Sequence, residues 1–259
     1  MLNFTILGSG SRGNCAYLET EHARVLVDAG FSCRQIEERL ATLGRELRDV
    51  QAVFLTHEHG DHVLGLKTMA KRYGIPVYAN RPTAECLRDK LPEFQGWRLF
   101  DTGATIRHAD LEVDSFAVPH DAYDPVGFIF RHRLGSVGFL TDLGYATKLV
   151  VERVRASRAL VLEANHCPDL LARDRKRPWS VKQRILSRHG HLSNEAAAQV
   201  AQQVAGPDLE DIFLGHLSPD CNTPELARET VAAGLADGHA GIRLHGTSME
   251  RPAATLGWS

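Results

Sequence analysis

The stretch FLTHEHGDHVLG, Phe54 to Gly65, places three histidines, a glutamate and an aspartate between His57 and His62. Imidazole and carboxylate at this density bind divalent metals, and the spacing decides how. A helical zinc-hydrolase motif needs histidines four apart, but the residue four after His57 is Asp61, so the pattern is His-x-His-x-Asp-His. The preceding QAVFLT is a short apolar β-type run, and Val63, Leu66, Met69 and Ala70 follow at helical spacing before Gly74. The cluster therefore belongs on a strand-to-helix turn. On extended backbone His57 and His59 share a direction, whereas Asp61 and His62 begin the helix and project elsewhere. Two pairs aimed in two directions suit two neighbouring metals better than one tetrahedral ion. The alternative is a solvated turn that happens to be rich in histidine.

Further metal-ligating side chains stand at the ends of other β-type runs. His120 ends LEVDSFAVPH, Asp142 ends SVGFLTD, His216 ends DIFLGH and Asp28 ends RVLVDAG. One strand-terminal histidine is ordinarily a hydrogen-bonded core or surface residue; several such ends beside the His57–His62 cluster point to a shared site.

The elements that must bring these ends together alternate along the chain. Eleven β-type runs are interleaved with helical segments near residues 32 to 43, 62 to 73, 83 to 91, 193 to 205 and 223 to 236, with antiparallel-looking clusters early and again after residue 98. This order fits two mixed sheets packed on each other with helices outside, one lobe per half. The 259 residues suffice for a full core, and no low-complexity linker divides them. The N-terminus MLNFTILGSG reads as a strand and turn, without the charge and apolar run of a secretion signal, and no apolar stretch reaches membrane length. A soluble, cytoplasmic protein is expected, with no membrane partner; nothing in the sequence sets an oligomeric state. Cys15, Cys33, Cys86, Cys167 and Cys221 are scattered and odd in number, which indicates neither a disulfide framework nor a thiolate zinc site.

The formal charge of −2 hides an uneven distribution. From Arg173 to Arg188, RDRKRPWSVKQRILSR holds seven Lys or Arg against the single acid Asp174. Such a run is commonly a solvated face. Lying beside Trp179 and leading into further histidines, it is also a candidate for phosphate contacts through Arg175, Lys176 and Arg177. The Gly/Ser turn GSGSRGN could likewise present backbone N–H groups, Ser11, Arg12 or Asn14 to phosphate. His166 and His189 are nearby candidates for substrate contacts. His22, His108, His132, His239 and His245 have no evident partner and are expected at the surface.

Taken together, these motifs resemble the metallo-β-lactamase fold superfamily over essentially the whole chain. The GSGSRGN opening, PHDAYDPVGF around His120, TDLG at Asp142, LEANH at 162 to 166, GHLSNEAA at 190 to 197 and GHLSPDCN at 215 to 222 are similar to the YycJ/WalJ-type nucleases, relatives of ribonuclease Z. The resemblance implies an α/β fold, an αββα sandwich of two mixed sheets with helices on the outer faces. It implies a dinuclear phosphodiesterase acting on DNA as an exonuclease, 5′ to 3′. The ligands would be His57, His59 and His120 for one ion and Asp61, His62 and His216 for the other, with Asp142 bridging and Asp28 fixing a ligand imidazole. His191, Asp61 and Glu163 would be the catalytic residues, His191 as a proton donor oriented by Glu163.

The histidine at position 59, where a glutamate would mark the di-iron flavoprotein branch, favours Zn2+ or Mn2+, although the ligand types also admit iron. Only 21 residues separate His120 from Asp142, too few for a tRNA-binding arm, and the span from Asp142 to His216 is too short for a β-CASP insertion. Residues 1–259 are thus expected to form a single domain without either attachment. Two rival functions share the fold's metal site: a small-molecule hydrolase such as a cyclic phosphodiesterase or thioesterase, and a non-catalytic, metal-stabilised DNA-binding protein.

Overall fold

Val25 and Val27 face one way along their strand and Leu26 the other, yet all three are buried. A strand covered on both faces reads as a continuous apolar run, and this one lies inside a layered α/β fold. The computed structural model describes residues 1–235 and 241–259. The first sheet begins with β1 (Leu2–Gly8), β2 (Cys15–Thr20), β3 (Arg24–Val27), β4 (Ala52–Phe54), β5 (Val77–Asn80) and β6 (Trp97–Phe100). The second comprises β7 (Thr105–His108), β8 (Leu111–Ala117), β9 (Val126–His132), β10 (Gly135–Leu140), β11 (Ala159–Glu163), β12 (Asp211–Gly215) and β13 (Arg243–Gly246). The chain then returns to the first sheet as β14 (Leu256–Trp258), beside β1.

Apart from β14 at the edge of the first, each sheet runs in chain order from an antiparallel meander into parallel strands, β14-β1-β2-β3-β4-β5-β6 and β7-β8-β9-β10-β11-β12-β13. Pairing turns parallel at β3–β4 and at β10–β11. The two halves therefore repeat one topology, as the expected lobe per half requires. Between the sheets lies an aromatic core in which Phe4 meets Phe213 edge-on at 5.3 Å and Phe54 meets Phe130 at 5.2 Å. Helices Cys33–Thr42, Leu66–Tyr73 and Arg81–Arg88 cover the outside of the first sheet. Lys148–Val154, Asn194–Val204 and Pro224–Gly234 cover the second. This is the αββα sandwich expected from the sequence.

The local signals explain several boundaries. Ser32 and Gln35 form a reciprocal capping box, and Ser193 caps the helix that follows it by accepting from the Ala196 N–H. The segment 62 to 73, expected as one helix, is split into Gly60–Val63 and Leu66–Tyr73. At the break the Gly65 N–H donates to the Ala29 carbonyl, and a Cβ at Gly65 would lie 2.3 Å from the Phe31 carbonyl oxygen. Helices Lys148–Val154, Pro168–Arg173 and Trp179–Ile185 and strands β6, β7 and β14 were not foreseen. Among the described residues no helix is long and apolar enough to cross a membrane. His239, expected at the surface, lies outside the described residues, as does residue 236 at the end of the last expected helix.

Candidate metal centre

The parallel strands all end on one edge of the sandwich, and the candidate residues follow them there. Asp28 follows β3, His57 to His62 follow β4, Asp142 follows β10, Glu163 ends β11 and His216 follows β12. His120 arrives from the connection between β8 and β9. Asp28, Asp142 and His216 adopt positive φ values of 61°, 57° and 56°, which side-chain-bearing residues rarely do. Strain of this kind, of the order of 1–3 kcal/mol per residue, persists where surrounding structure imposes it and clusters at functional sites.

The structure brings the residues into overlapping clusters that include the two expected triads, with His57, His62 and Asp142 forming a third and Asp142, Glu163, His191 and His216 a fourth. The available ring or carboxylate atoms of His57, His59 and His120 lie within 4.8 Å of one another, as do those of Asp61, His62 and His216. Asp142 stands between them: its Oδ2 is 3.2 Å from His62 Nε2, and its Oδ1 is 3.1 Å from His216 Nε2 and 3.7 Å from His120 Nε2. His57 Nε2 and Asp142 Oδ2 are buried without a hydrogen-bond partner. Buried nitrogen and carboxylate atoms left in this way, beside two further imidazoles, are what a divalent cation would satisfy.

Neighbouring groups fix which nitrogen each ring turns inward. Asp28 Oδ2 lies 2.8 Å from His62 Nδ1 and also accepts from the Thr56 hydroxyl. His57 Nδ1 meets the Thr56 hydroxyl at 3.0 Å, and His120 Nδ1 meets the Gly190 carbonyl at 3.1 Å. In all three rings Nε2 remains for the site. Glu163, fully buried, holds two rings with one oxygen: Oε1 is 2.7 Å from His191 Nδ1 and 3.1 Å from His216 Nδ1. Its Oε2 accepts from the Leu143 N–H at 2.9 Å. Gly30 lets this construction close, since a Cβ there would lie 1.7 Å from the Asp61 carbonyl oxygen.

The electrostatics describe a site that requires positive charge. Burial alone would raise the Asp142 carboxyl, but the imidazoles of His216 and His62 more than offset it and hold Asp142 well below the usual carboxylate range. Burial also opposes charge on His62 and His216. Around His62 it is outweighed by Asp142, Asp28 and Asp61, and around His216 by Asp142, Asp61 and Glu163, so both rings are raised well above their ordinary value. His57 is driven the other way by burial and then by His62, which favours the neutral form that ligates metal. Protons on His62 and His216 thus balance charge that a cation would otherwise balance.

Beside the cluster opens a cleft of about 210 Å³ whose lining includes Ser11, His59, Asp61 and His191 together with Arg177 and Arg184 of the basic stretch. Several residues expected at phosphate lie elsewhere. Asn14 is buried: its Oδ1 accepts from the Ser9 hydroxyl and the Gly10 N–H, and its Nδ2 donates to the Gly10 carbonyl and lies 3.4 Å from Asp61 Oδ2. It positions the site and is not open to phosphate. His166 is 1% exposed and its environment lowers its pKa to about 4, chiefly through burial, so it does not face substrate. Arg12, Arg175 and Lys176 are exposed but do not line the cleft, and Lys176 is paired with Asp220 at 2.8 Å.

Three histidines expected at the surface have partners. His132 faces Asp110 with a side chain only 2% exposed, His245 meets Asp211 at 2.7 Å and stacks on Phe213, and His108 packs edge-on against Phe54 and Tyr78. His22 is exposed, as expected. Thr56, Asn165 and Asp121 were not singled out from the sequence. Asn165 Nδ2 donates to the His216 carbonyl at 2.8 Å, and Asp121 Oδ1 lies 3.3 Å from His120 Nε2. Their only signal was adjacency to Glu163, His120 or His57.

Two seven-stranded mixed sheets with a His-x-His-x-Asp-His cluster at the strand ends define a β-lactamase superfamily domain, and residues 23–211 match that family. The chain is 37% identical over 258 residues to Exodeoxyribonuclease YycJ of Bacillus anthracis, covering 97% of each chain. To Exodeoxyribonuclease WalJ of Streptococcus pneumoniae it is 38% identical over 244 residues, covering 92% of this chain and 90% of that one. The metallo-β-lactamase fold protein YhfI from Bacillus subtilis superposes with a TM-score of 0.76 at 15% identity, covering 99% of this chain and 100% of that one. This chain belongs to the β-lactamase superfamily and, within it, to the YycJ/WalJ family.

Proposed function

We propose that the chain is a metal-dependent phosphodiesterase that degrades DNA as an exonuclease, 5′ to 3′, with two divalent ions, Zn2+ or Mn2+, held by the two triads and bridged by Asp142. The ligand set also admits iron. Residues 1–259 would act as one domain in the cytoplasm, with neither a tRNA-binding arm nor a β-CASP insertion. The observation that carries this reading is the pair of triads on either side of Asp142, whose buried Oδ2 no hydrogen bond satisfies. It is supported by near-full-length similarity to two proteins named exodeoxyribonucleases.

His57, His59 and His120 would hold one ion, and Asp61, His62 and His216 the other. When bound, the ions supply the nucleophile and the charge compensation that in-line attack at phosphorus needs. The protein's own groups do the rest. Asp28 and Thr56 keep His62 and His57 in the tautomers that turn Nε2 inward. Glu163 accepts from His191 Nδ1, which leaves His191 Nε2 at the cleft as the site from which a proton passes to the leaving oxygen.

The test is incubation of metal-loaded protein with single- and double-stranded DNA and RNA labelled at either end. The expected result is stepwise release of nucleotides from the 5′ ends of DNA. Turnover of small esters without polymer cleavage, or DNA binding without cleavage, would instead favour the small-molecule hydrolase or the non-catalytic DNA-binding protein.

A further inference from the structure

The structure sorts the seven basic side chains of the 173–188 stretch by what already holds them. Arg177 lines the cleft, but its Nη1 is 2.7 Å from Asp174 Oδ2 and its Nη2 is 3.0 Å from Asp220 Oδ2, with only 22% of its side chain exposed. Lys176 takes the other Asp220 oxygen. Lys182 is buried and donates to the Ala172 carbonyl at 2.9 Å, tying together the two short helices of the stretch. The Arg188 guanidinium lies over the Tyr145 ring at 4.4 Å. Arg173 and Arg175 are exposed away from the cleft.

Arg184 differs from all of these. It lines the cleft, 57% of its side chain is exposed, and it meets a single carboxylate, Asp121, through Nε. Its two terminal nitrogens form no hydrogen bond among the described residues. Its backbone is locked to the site. The His191 N–H donates to the Ile185 carbonyl at 3.0 Å, and the Gly190 carbonyl accepts from His120 Nδ1. A Cβ at Gly190 would lie 2.3 Å from the Arg184 carbonyl oxygen, so the chain carrying His191 is pressed against the helix end that carries Arg184.

We propose that Arg184 is the phosphate-binding side chain of the cleft, exchanging Asp121 for a backbone phosphate of the polynucleotide adjacent to the one being cleaved, while Arg177 is a fixed structural cation. This rests on the nuclease reading above. A guanidinium with two free terminal nitrogens can grip a phosphate in two places at once, and Asp121 keeps it oriented until the strand arrives. The basic stretch then contributes one specific contact at the chemistry, not a uniform positive face.

The test measures binding of a fluorescent phosphorothioate oligonucleotide, which resists cleavage, to metal-loaded protein over a range of salt. Arg184→Gln should weaken binding roughly tenfold or more and lower the salt slope by about 0.7 to 0.9, the equivalent of one phosphate. Arg107→Gln, which removes the same charge from an exposed residue of β7, should leave both unchanged. Asp121→Asn, measured at saturating metal because Asp121 Oδ1 also approaches His120 Nε2 at 3.3 Å, distinguishes phosphate binding from a merely structural ion pair: it should retain affinity, because the terminal nitrogens of Arg184 remain free to take the phosphate. Equal losses in Arg184→Gln and Asp121→Asn, or wild-type binding by Arg184→Gln, would overturn the proposal. If wild-type protein neither binds nor cleaves DNA, the nuclease reading fails and this inference with it.

Discussion

Asp28 Oδ2 lies 2.8 Å from His62 Nδ1, although the two residues are 34 apart in the chain and Asp28 occupies a left-handed backbone conformation to reach it. The carboxylate decides which His62 nitrogen faces Asp61 and Asp142. Asp28→Asn keeps the shape and tolerates the backbone angle but removes the charge. Metal affinity, measured by competition with a chelator, should fall about 10–100-fold. Unchanged affinity would mean that Asp28 only shapes the turn.

Glu163 and His191 form the corresponding pair on the second sheet, at 2.7 Å. If His191 donates a proton and does not ligate, His191→Ala should retain the full metal content and lose about 10²–10⁴-fold in turnover. Loss of metal would move His191 into the ligand set, and an unaltered rate would remove it from the mechanism.

Gly30 allows the loop after β3 to touch the backbone of Asp61, with no room for a Cβ. Gly30→Ala should destabilise the fold by about 1–3 kcal/mol in denaturant titrations and lower activity, because the relaxation displaces Asp61. Wild-type stability together with wild-type activity would show that the loop absorbs a methyl group and that the close approach is incidental.

Protonation gives the site a definite pH response. In the metal-free protein the raised pKa values of His62 and His216 contribute stability that is present below their unfolded value of about 6.5 and lost as pH rises through their folded values. Metal must displace those protons, so its stabilising effect should run the other way. The increase in Tm on adding zinc, measured from about pH 6 to pH 8.5, should grow with pH. A constant or shrinking increase would contradict the protonation pattern.

What was legible in the sequence was local. His57, His59, Asp61 and His62 declared their geometry by spacing across a strand-to-helix turn, and His120, Asp142 and His216 by closing β-type runs. The layer order followed from the alternation of β-type runs with helical segments. What was not legible depends on residues meeting from far apart in the chain. Asn14 looked available because the turn that closes on its amide through Ser9 and Gly10 is held by distant backbone: the Asn14 N–H donates to the Asp61 carbonyl and the Asn14 carbonyl accepts from the Gly30 N–H. The basic stretch looked uniformly positive because Asp220 and Asp121, which hold Arg177 and Arg184, are 43 and 63 residues away. His166 looked reachable beside Glu163 and Asn165, but the turn after β11 directs it into the interior.

Seven side chains, His57, His59, Asp61, His62, His120, Asp142 and His216, would together hold two ions. Native mass spectrometry of the protein after loading with zinc or manganese and removal of excess metal, with Asp142→Ala in parallel, counts those ions. Wild-type chains should carry two ions, and loss of the shared carboxylate should weaken both. A wild-type protein that carries at most one ion after reloading would rule out the dinuclear site.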